Sequence, residues 1–209
     1  MRVDAVIFDI GNVLIRWQPE VYYDATIGVE KRIEMFAEVD LHGLQDILDR
    51  GADFKDLFYQ TADDNPKWRD EIRAWHDNWT KLAQPEIPHS VNLMRALRAK
   101  GIPVFALTKF GVGSFVLSEQ QFPFLREFDK RYISGELKLA KPEPEIYAAL
   151  EIDCGIAPEH LLFTDDRTDN IDTAQSRGWQ THLFESPQGW ANHLVEAGLL
   201  SKEEAAFNG

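Results

Sequence analysis

The sequence predicts an α/β protein, a Rossmann-like parallel sheet flanked by helices, with a small α-helical domain inserted after the first strand. Three observations predict it. Val6, Ile7 and Phe8 form a short continuous apolar run, the pattern of a strand buried on both faces of a parallel sheet. From Ser90 onward, short apolar runs alternate with helical spacing, as a parallel sheet and its crossovers require. Between Arg16 and Gln84 the spacing is helical, and no stretch reads as a buried strand. The expected division is therefore residues 1–15 and 85–209 for the sheet domain and 16–84 for the helical insert.

Each element has its own signal. The first strand stops on Asp9, and Gly11 allows a sharp turn or a close approach to a ligand. Within the insert, Ile33, Phe36 and Val39 are expected on one helical face. Leu41, Leu44 and Leu48 form a second stripe, closed by Gly51, and Phe54, Leu57 and Phe58 begin a third. Trp68, Ile72, Trp75, Trp79 and Leu82 step by four and three, which reads as an aromatic core stripe. Pro85 and Pro88 mark the return to the sheet domain.

Ser90 is the expected cap of a helix carrying Val91, Met94 and Leu97 and ended by Gly101. Ile102 to Leu107 reads as a strand finishing on Thr108 and Lys109. An aromatic segment with Phe115, Phe122, Phe124 and Phe128 follows, then a short strand at Tyr132 and Ile133. Lys141-Pro142 precedes a helix with Pro144 and two glutamates in its first turn, a start signal. Leu161 to Thr164 is a strand ending on Asp165-Asp166, and a helix with Ile171 and Ala174 runs to Gly178. Thr181 to Phe184 is the last strand, Trp190, Leu194 and Leu199 ride a closing helix, and the Ser-Lys-Glu-Glu stretch from Ser201 reads as a solvated end.

Composition narrows the function. The chain has 209 residues, 44% of them hydrophobic, enough to build a core. Its net charge is -13 with no basic stripe, which argues against a nucleic-acid or an anionic-membrane partner. No stretch approaches the ~20 apolar residues of a membrane span, and the N-terminal apolar run is too short for a signal peptide. Cys154 is the single cysteine, which excludes an internal disulfide and suits a reducing cytosol. The expectation is a soluble cytoplasmic protein.

Three strands end in reactive or polar groups, at Asp9, at Thr108 and at Asp165-Asp166, and Lys141 stands before a helix in a fourth loop. Ligands of open α/β sheets bind beyond these strand ends. A carboxylate such as Asp9 can attack phosphorus and form an acyl phosphate. An anion attacking an anion needs neutralisation, which a hard cation such as Mg²⁺ supplies. Asp9 and Asp166, with Asp165 or Asp169, are candidate ligands, and the Gly11 carbonyl is a candidate backbone ligand. Lys141 would pair with phosphate oxygens and the Thr108 hydroxyl would donate to another.

In this order the four stretches resemble the motifs of the haloacid dehalogenase superfamily of hydrolases, in the subgroup with a helical cap inserted after the first strand. They are Phe8-Asp9-Ile10-Gly11-Asn12-Val13, Ala106-Leu107-Thr108, Lys141-Pro142-Glu143 and Phe163-Thr164-Asp165-Asp166. The resemblance implies Asp9 as nucleophile, Lys141 as its catalytic partner and Mg²⁺ as cofactor. It implies phosphate contacts from Gly11, Asn12, Thr108, Lys109 and Lys141. The substrate implied is a small phosphorylated metabolite.

Two positions depart from the pattern. Most phosphatases of this family carry a second Asp two residues after the nucleophile as general acid and base, and here that residue is Gly11. The Asp-x-Gly-Asn form resembles a subgroup regarded as small sugar-phosphate phosphatases. The proton must then come from water, the substrate or a cap residue, and His42 and His76 are the cap histidines that titrate near neutrality. Lys109 stands where relatives often have Asn, and it either adds phosphate affinity or obstructs a hydrogen bond. Trp17 and the Leu44 to Arg50 region are the expected determinants of substrate choice. Two alternatives stay open: a weak or inactive member that binds a phosphorylated ligand or a protein partner, and a 2-haloacid dehalogenase.

Overall fold

The computed structural model describes residues 2–207. Its strands in chain order are β1 (Ala5–Phe8), β2 (Ile15–Trp17), β3 (Ala83–Glu86), β4 (Val104–Thr108), β5 (Lys130–Ile133), β6 (Leu161–Asp165) and β7 (Gln180–Leu183). Five of them form one parallel sheet in the order β5-β4-β1-β6-β7. Register explains why the polar strand ends meet. Phe8 lies opposite both Ala106 and Thr164, so Asp9, Thr108 and Asp165 all emerge at the carboxyl edge of the three central strands.

The central strand is buried on both faces, as its unbroken apolar run requires. Val6 and Phe8 point into one core with Val104, Ala106 and Trp190, while Ala5 and Ile7 join Phe105, Phe163 and Tyr147 on the other. The helices covering these faces include α7 (Pro88–Ala99), α8 (Val112–Gln121), α9 (Ser134–Leu137), α10 (Pro144–Cys154), α11 (Thr168–Ser176) and α12 (Pro187–Glu196). Among the described residues, no helix is long and apolar enough to cross a membrane.

Between β2 and β3 run α1 (Pro19–Ile27), α2 (Val29–Glu38), α3 (Leu41–Leu48), α4 (Phe54–Asp64), α5 (Arg69–Asp77) and α6 (Trp79–Leu82). The tryptophan stripe is the centre of this segment. Trp75 is fully buried, stacked on Phe58 at 5.8 Å and on Tyr23 at 6.1 Å between ring centroids. Such rings bring the largest apolar areas a small core can hide. The cluster is continuous with one face of the sheet: Trp79 touches Phe110, and its Nε1 donates to the buried Ser118 Oγ at 2.8 Å.

Several local expectations need correction. β2 and β3 form an antiparallel ribbon at the base of the helical segment, where no strand was expected, because three- and four-residue strands with Pro85 inside carry no alternation to read. Ile33 is 53% exposed, and the buried direction of α2 passes through Met35 and Val39, four residues apart. Ser90 lies inside the first turn of α7, whose N-cap is Ile87, because Pro88 already sets the first helical position. The helix α12 ends at Glu196, before Leu199. The chain end is not wholly solvated: Ala205 is buried, and its carbonyl accepts from His89 Nε2 at 2.9 Å.

A pH response follows from the β7 edge. His182 packs tilted against His193 at 4.8 Å and Trp190 at 5.1 Å between ring centroids, and its Nε2 is buried without a partner. Burial first, and then the neighbouring His193, lower the His182 imidazole from 6.5 to about 4. Burial also lowers His193, against the pull of Glu196. A folded value below the unfolded one gives stability that is full above about pH 6.5 and is lost as the pH falls toward 4. The thermal midpoint should therefore drop between pH 7 and pH 5, and drop less in His182→Gln. Equal drops in both proteins would remove His182 from the account.

Candidate active site

The site is built on the loop that leaves β1. The Ile10 carbonyl accepts from the backbone of Val13, Leu14 and Ile15, which folds the loop back tightly under Asp9. Asn12 adopts a left-handed backbone with φ of 56°, a conformation asparagine tolerates better than most residues. Its side chain ties two segments together: Nδ2 donates to Asp166 Oδ2 at 3.1 Å, and Oδ1 accepts from the Trp17 backbone at 3.0 Å. Gly11 lines the cavity beside Asp9, and a Cβ built there would meet no atom within 4 Å.

Lys141 reaches into this loop from the start of the α10 segment. Its ammonium is almost completely buried, 2.9 Å from Asp9 Oδ1 and 2.6 Å from Asp165 Oδ2. Burial pulls Lys141 down, but Asp165 and Asp9 outweigh it and hold the ammonium above its usual value. Asp165 is held from three sides, by Lys141, by Asn170 Nδ2 and by the Arg167 backbone N–H. Burial, reinforced by Asp165 and Asp166, raises Asp9 well above the ordinary carboxylate range despite Lys141.

One ammonium faces three carboxylates here. Oxygens of Asp9, Asp165 and Asp166 lie within 4.8 Å of one another. A cluster with this excess of negative charge and hard oxygen donors fits a divalent cation of the Mg²⁺ type. Thr108 adds an orphan: its Oγ1 is buried, has no hydrogen-bond partner and belongs to a residue lining the same cavity. An unpaired buried hydroxyl costs about 1–3 kcal/mol unless something accepts from it. The cavity is about 410 Å³ in volume.

A family model described as haloacid dehalogenase-like hydrolase matches residues 3–178. The chain belongs to the haloacid dehalogenase-like hydrolases. Among curated relatives, the D-ribitol-5-phosphate phosphatase of Bacteroides thetaiotaomicron is 35% identical over 67 residues, a match covering 32% of this chain and 32% of that protein. The sesquiterpene phosphatase astK of Aspergillus oryzae is 23% identical over 184 residues, 87% of this chain and 90% of that one. Among solved structures, a HAD family enzyme of B. thetaiotaomicron in complex with magnesium and inorganic phosphate has a TM-score of 0.63 at 25% identity, covering 86% of this chain and 93% of that one.

In this hydrolase, the other expected site residues fall as follows. Lys109 lines the cavity, yet its Nζ is 2.7 Å from Asp46 Oδ1 of α3, so its charge is already engaged by the helical segment. Asp169 is turned away from the carboxylate cluster and paired with Arg167. Trp17 lines the cavity and packs on Trp75 and Trp79. His42 reaches the cavity wall with its Nε2 at 3.0 Å from Glu20, whereas His76 is spent on Asp77 and on the rings of Phe54 and Tyr59.

Sequence reasoning missed Asn170, which secures Asp165, and Arg16 on the cavity wall. It named the α3 region without its pattern. His42, Gln45, Asp46 and Asp49 stand at i, i+3, i+4 and i+7 and all line the cavity, opposite the apolar stripe of Leu41, Leu44 and Leu48. That polar periodicity was the available signal.

Proposed function

We propose that this hydrolase is a Mg²⁺-dependent phosphatase that cleaves a small, hydroxyl-rich phosphate ester through an aspartyl-phosphate on Asp9. The observation that carries the reading is the buried Lys141 ammonium bonded to both Asp9 and Asp165, with Asp166 completing the cluster. The magnesium and phosphate in the similar B. thetaiotaomicron enzyme support it, as do the two phosphatase names among the relatives. In this reading residues 1–15 and 85–209 form the catalytic core, and 16–84 form the cap that covers it.

Asp9, Asp166 and Asp165, with the Gly11 carbonyl, would hold the Mg²⁺, which when bound neutralises charge on both the carboxylates and the phosphoryl group. The remaining work falls to the chain. Lys141 orients the Asp9 carboxylate and balances its charge as it approaches phosphorus. The unpaired Thr108 hydroxyl donates to a phosphoryl oxygen. Asn12 fixes Asp166 relative to the loop that carries Asp9. The α3 face, with two carboxylates, an amide and an imidazole, suits hydroxyl groups of a polyol or sugar better than a hydrocarbon chain.

The test is phosphate release from a panel of polyol and sugar phosphates, nucleotides, a terpenyl phosphate and an aryl phosphate, with Mg²⁺ and with EDTA. Release should require Mg²⁺ and be fastest on the polyol or sugar esters. Silence across the panel, while Mg²⁺ still raises the thermal midpoint, would make this a binding protein. Halide release from a 2-haloacid that persists in EDTA would make it a dehalogenase.

A further inference from the structure

Cleavage of an alkyl phosphate leaves an alkoxide, a poor leaving group unless it is protonated as it departs. In an in-line displacement the leaving oxygen lies on the far side of phosphorus from the attacking Asp9. The proton donor must therefore reach past the phosphoryl group to that oxygen, and the position two residues after Asp9, from which an aspartate could do so, is Gly11 here. Gly11 cannot provide it, having no side chain. Arginines such as Arg16 do not release protons at any ordinary pH. Lys109 is bound to the exposed Asp46, and His42 is half exposed and bound to Glu20.

Asp49 differs from all of these. It closes α3, lines the cavity and is only 3% exposed. Its carboxyl is fixed by a two-step relay: Trp75 Nε1 donates to Gln45 Oε1 at 3.1 Å, and Gln45 Nε2 donates to Asp49 Oδ1 at 2.8 Å. Trp75 is itself immobilised in the centre of the helical segment. An exposed carboxylate needs no such support, and nothing in the binding of metal or phosphate uses this one.

We infer that Asp49 is the proton-transfer residue of the reaction, supplied by the helical segment in place of a group at Gly11. This rests on the phosphatase reading above. As Asp9 Oδ attacks phosphorus, the bond from phosphorus to the ester oxygen breaks and its electron pair stays on that oxygen. Asp49 gives the oxygen its carboxyl proton, releasing the alcohol and leaving a carboxylate. Water then attacks phosphorus, Asp49 takes the proton from that water, and the bond to Asp9 breaks to free phosphate. Both carboxyl groups return to their starting forms.

The surroundings place Asp49 in the right range. Burial raises its carboxyl to about 6, against the lowering pull of Lys109 and of the Gln45 hydrogen bond, with nearby Asp46 raising it slightly. The other charges on this cavity, Arg16, His42 and the cluster around Asp9, face the same space. Near neutral pH such a group exchanges a proton in either direction.

The experiment compares wild type and Asp49→Asn on an alkyl ester, glycerol phosphate, and on an aryl ester with a good leaving group, both with Mg²⁺. Loss of general acid catalysis should lower kcat/KM for the alkyl ester by roughly 10²–10⁴, and for the aryl ester by about tenfold or less. The aryl reaction of the variant should show a burst of about one alcohol per enzyme, because the second step has lost its base. The fall in alkyl kcat/KM as pH rises past about 6 should vanish in Asp49→Asn. Gly11→Asp, for which the structure leaves room, should restore alkyl turnover in the Asp49→Asn background.

Equal losses on both esters, or a change confined to KM, would reduce Asp49 to a substrate contact and overturn the inference. An Asp49→Asn enzyme with the wild-type alkyl rate would do the same while leaving the phosphatase reading intact. Wild type silent on both esters would overturn the phosphatase reading and this inference together. The thermal midpoint and Mg²⁺ response of the variant check that it is folded.

Discussion

Asp9→Asn should lower Mg²⁺-dependent phosphate release by on the order of 10⁴-fold or more, with little change in thermal stability. The asparagine side chain has the same shape but cannot form an acyl phosphate, so the reaction loses its first bond. The fold should tolerate the change because Lys141 keeps its second partner, Asp165, at 2.6 Å, and Asp165 keeps Asn170 and the Arg167 backbone. An asparagine also carries no charge to desolvate, and burial is the main cause that raises Asp9, with Asp165 and Asp166 adding to it. The measurement is steady-state release on the best ester of the panel, beside a thermal scan. A variant keeping more than about 1% of the wild-type rate would exclude Asp9 as the nucleophile.

Lys141→Met should do more damage to the protein itself. Removing the ammonium leaves Asp9 and Asp165 buried and facing each other without a countercharge. Breaking a buried pair from one side typically costs about 3–5 kcal/mol. For a chain of this size that is a fall of roughly 6–20 °C in the thermal midpoint. The sign of the pH dependence is fixed. Burial has already raised Asp9 in the folded protein above its unfolded value of 3.8, so protonation favours the folded state and stability declines as pH rises through the folded value. Without Lys141, which lowers Asp9, that decline continues to higher pH. The deficit of Lys141→Met should be small at pH 5, large at pH 8, and partly offset by Mg²⁺. A deficit independent of both pH and Mg²⁺ would mean that Lys141 matters only as packing.

The three central strands were legible because they obey a local rule: residues buried on both faces are largely apolar, and each run ends at a polar residue of the cavity wall or the carboxylate cluster. Asp9, Thr108, Asp165 and Asp166 could be named because parallel strands carry their ends to one edge whatever the exact register, and Lys141, in a loop before α10, because of the motif it shares with Pro142 and Glu143. Side-chain partners are set by distance, which the sequence does not record. Lys109 looked like a phosphate-binding residue because it follows Thr108, yet Asp46, 63 residues away, takes its charge. Asp49 was invisible for a related reason. An aspartate after a leucine stripe reads as a helix end, and only the close seat of Leu48 on Gly111 and the relay from Trp75 through Gln45 make it a buried acid. The β2–β3 ribbon escaped because three residues are too few for a period.

One hydrophobic core takes in Phe8 of the sheet, Phe110 beside it, and Trp79 and Trp75 of the helical segment, so the two parts are inherited as a unit. Sequence divides the chain into a sheet domain and an insert, but the core does not respect that division. Cutting at the ribbon would strip Phe110 and Ser118 from Trp79 and expose apolar rings on both products. The helical segment thus shares its interior with the sheet. Its apolar face is held to complement the sheet through Trp79, Phe110 and Ser118, and exposed outer positions such as Ile33 and Ile47 are free of that constraint.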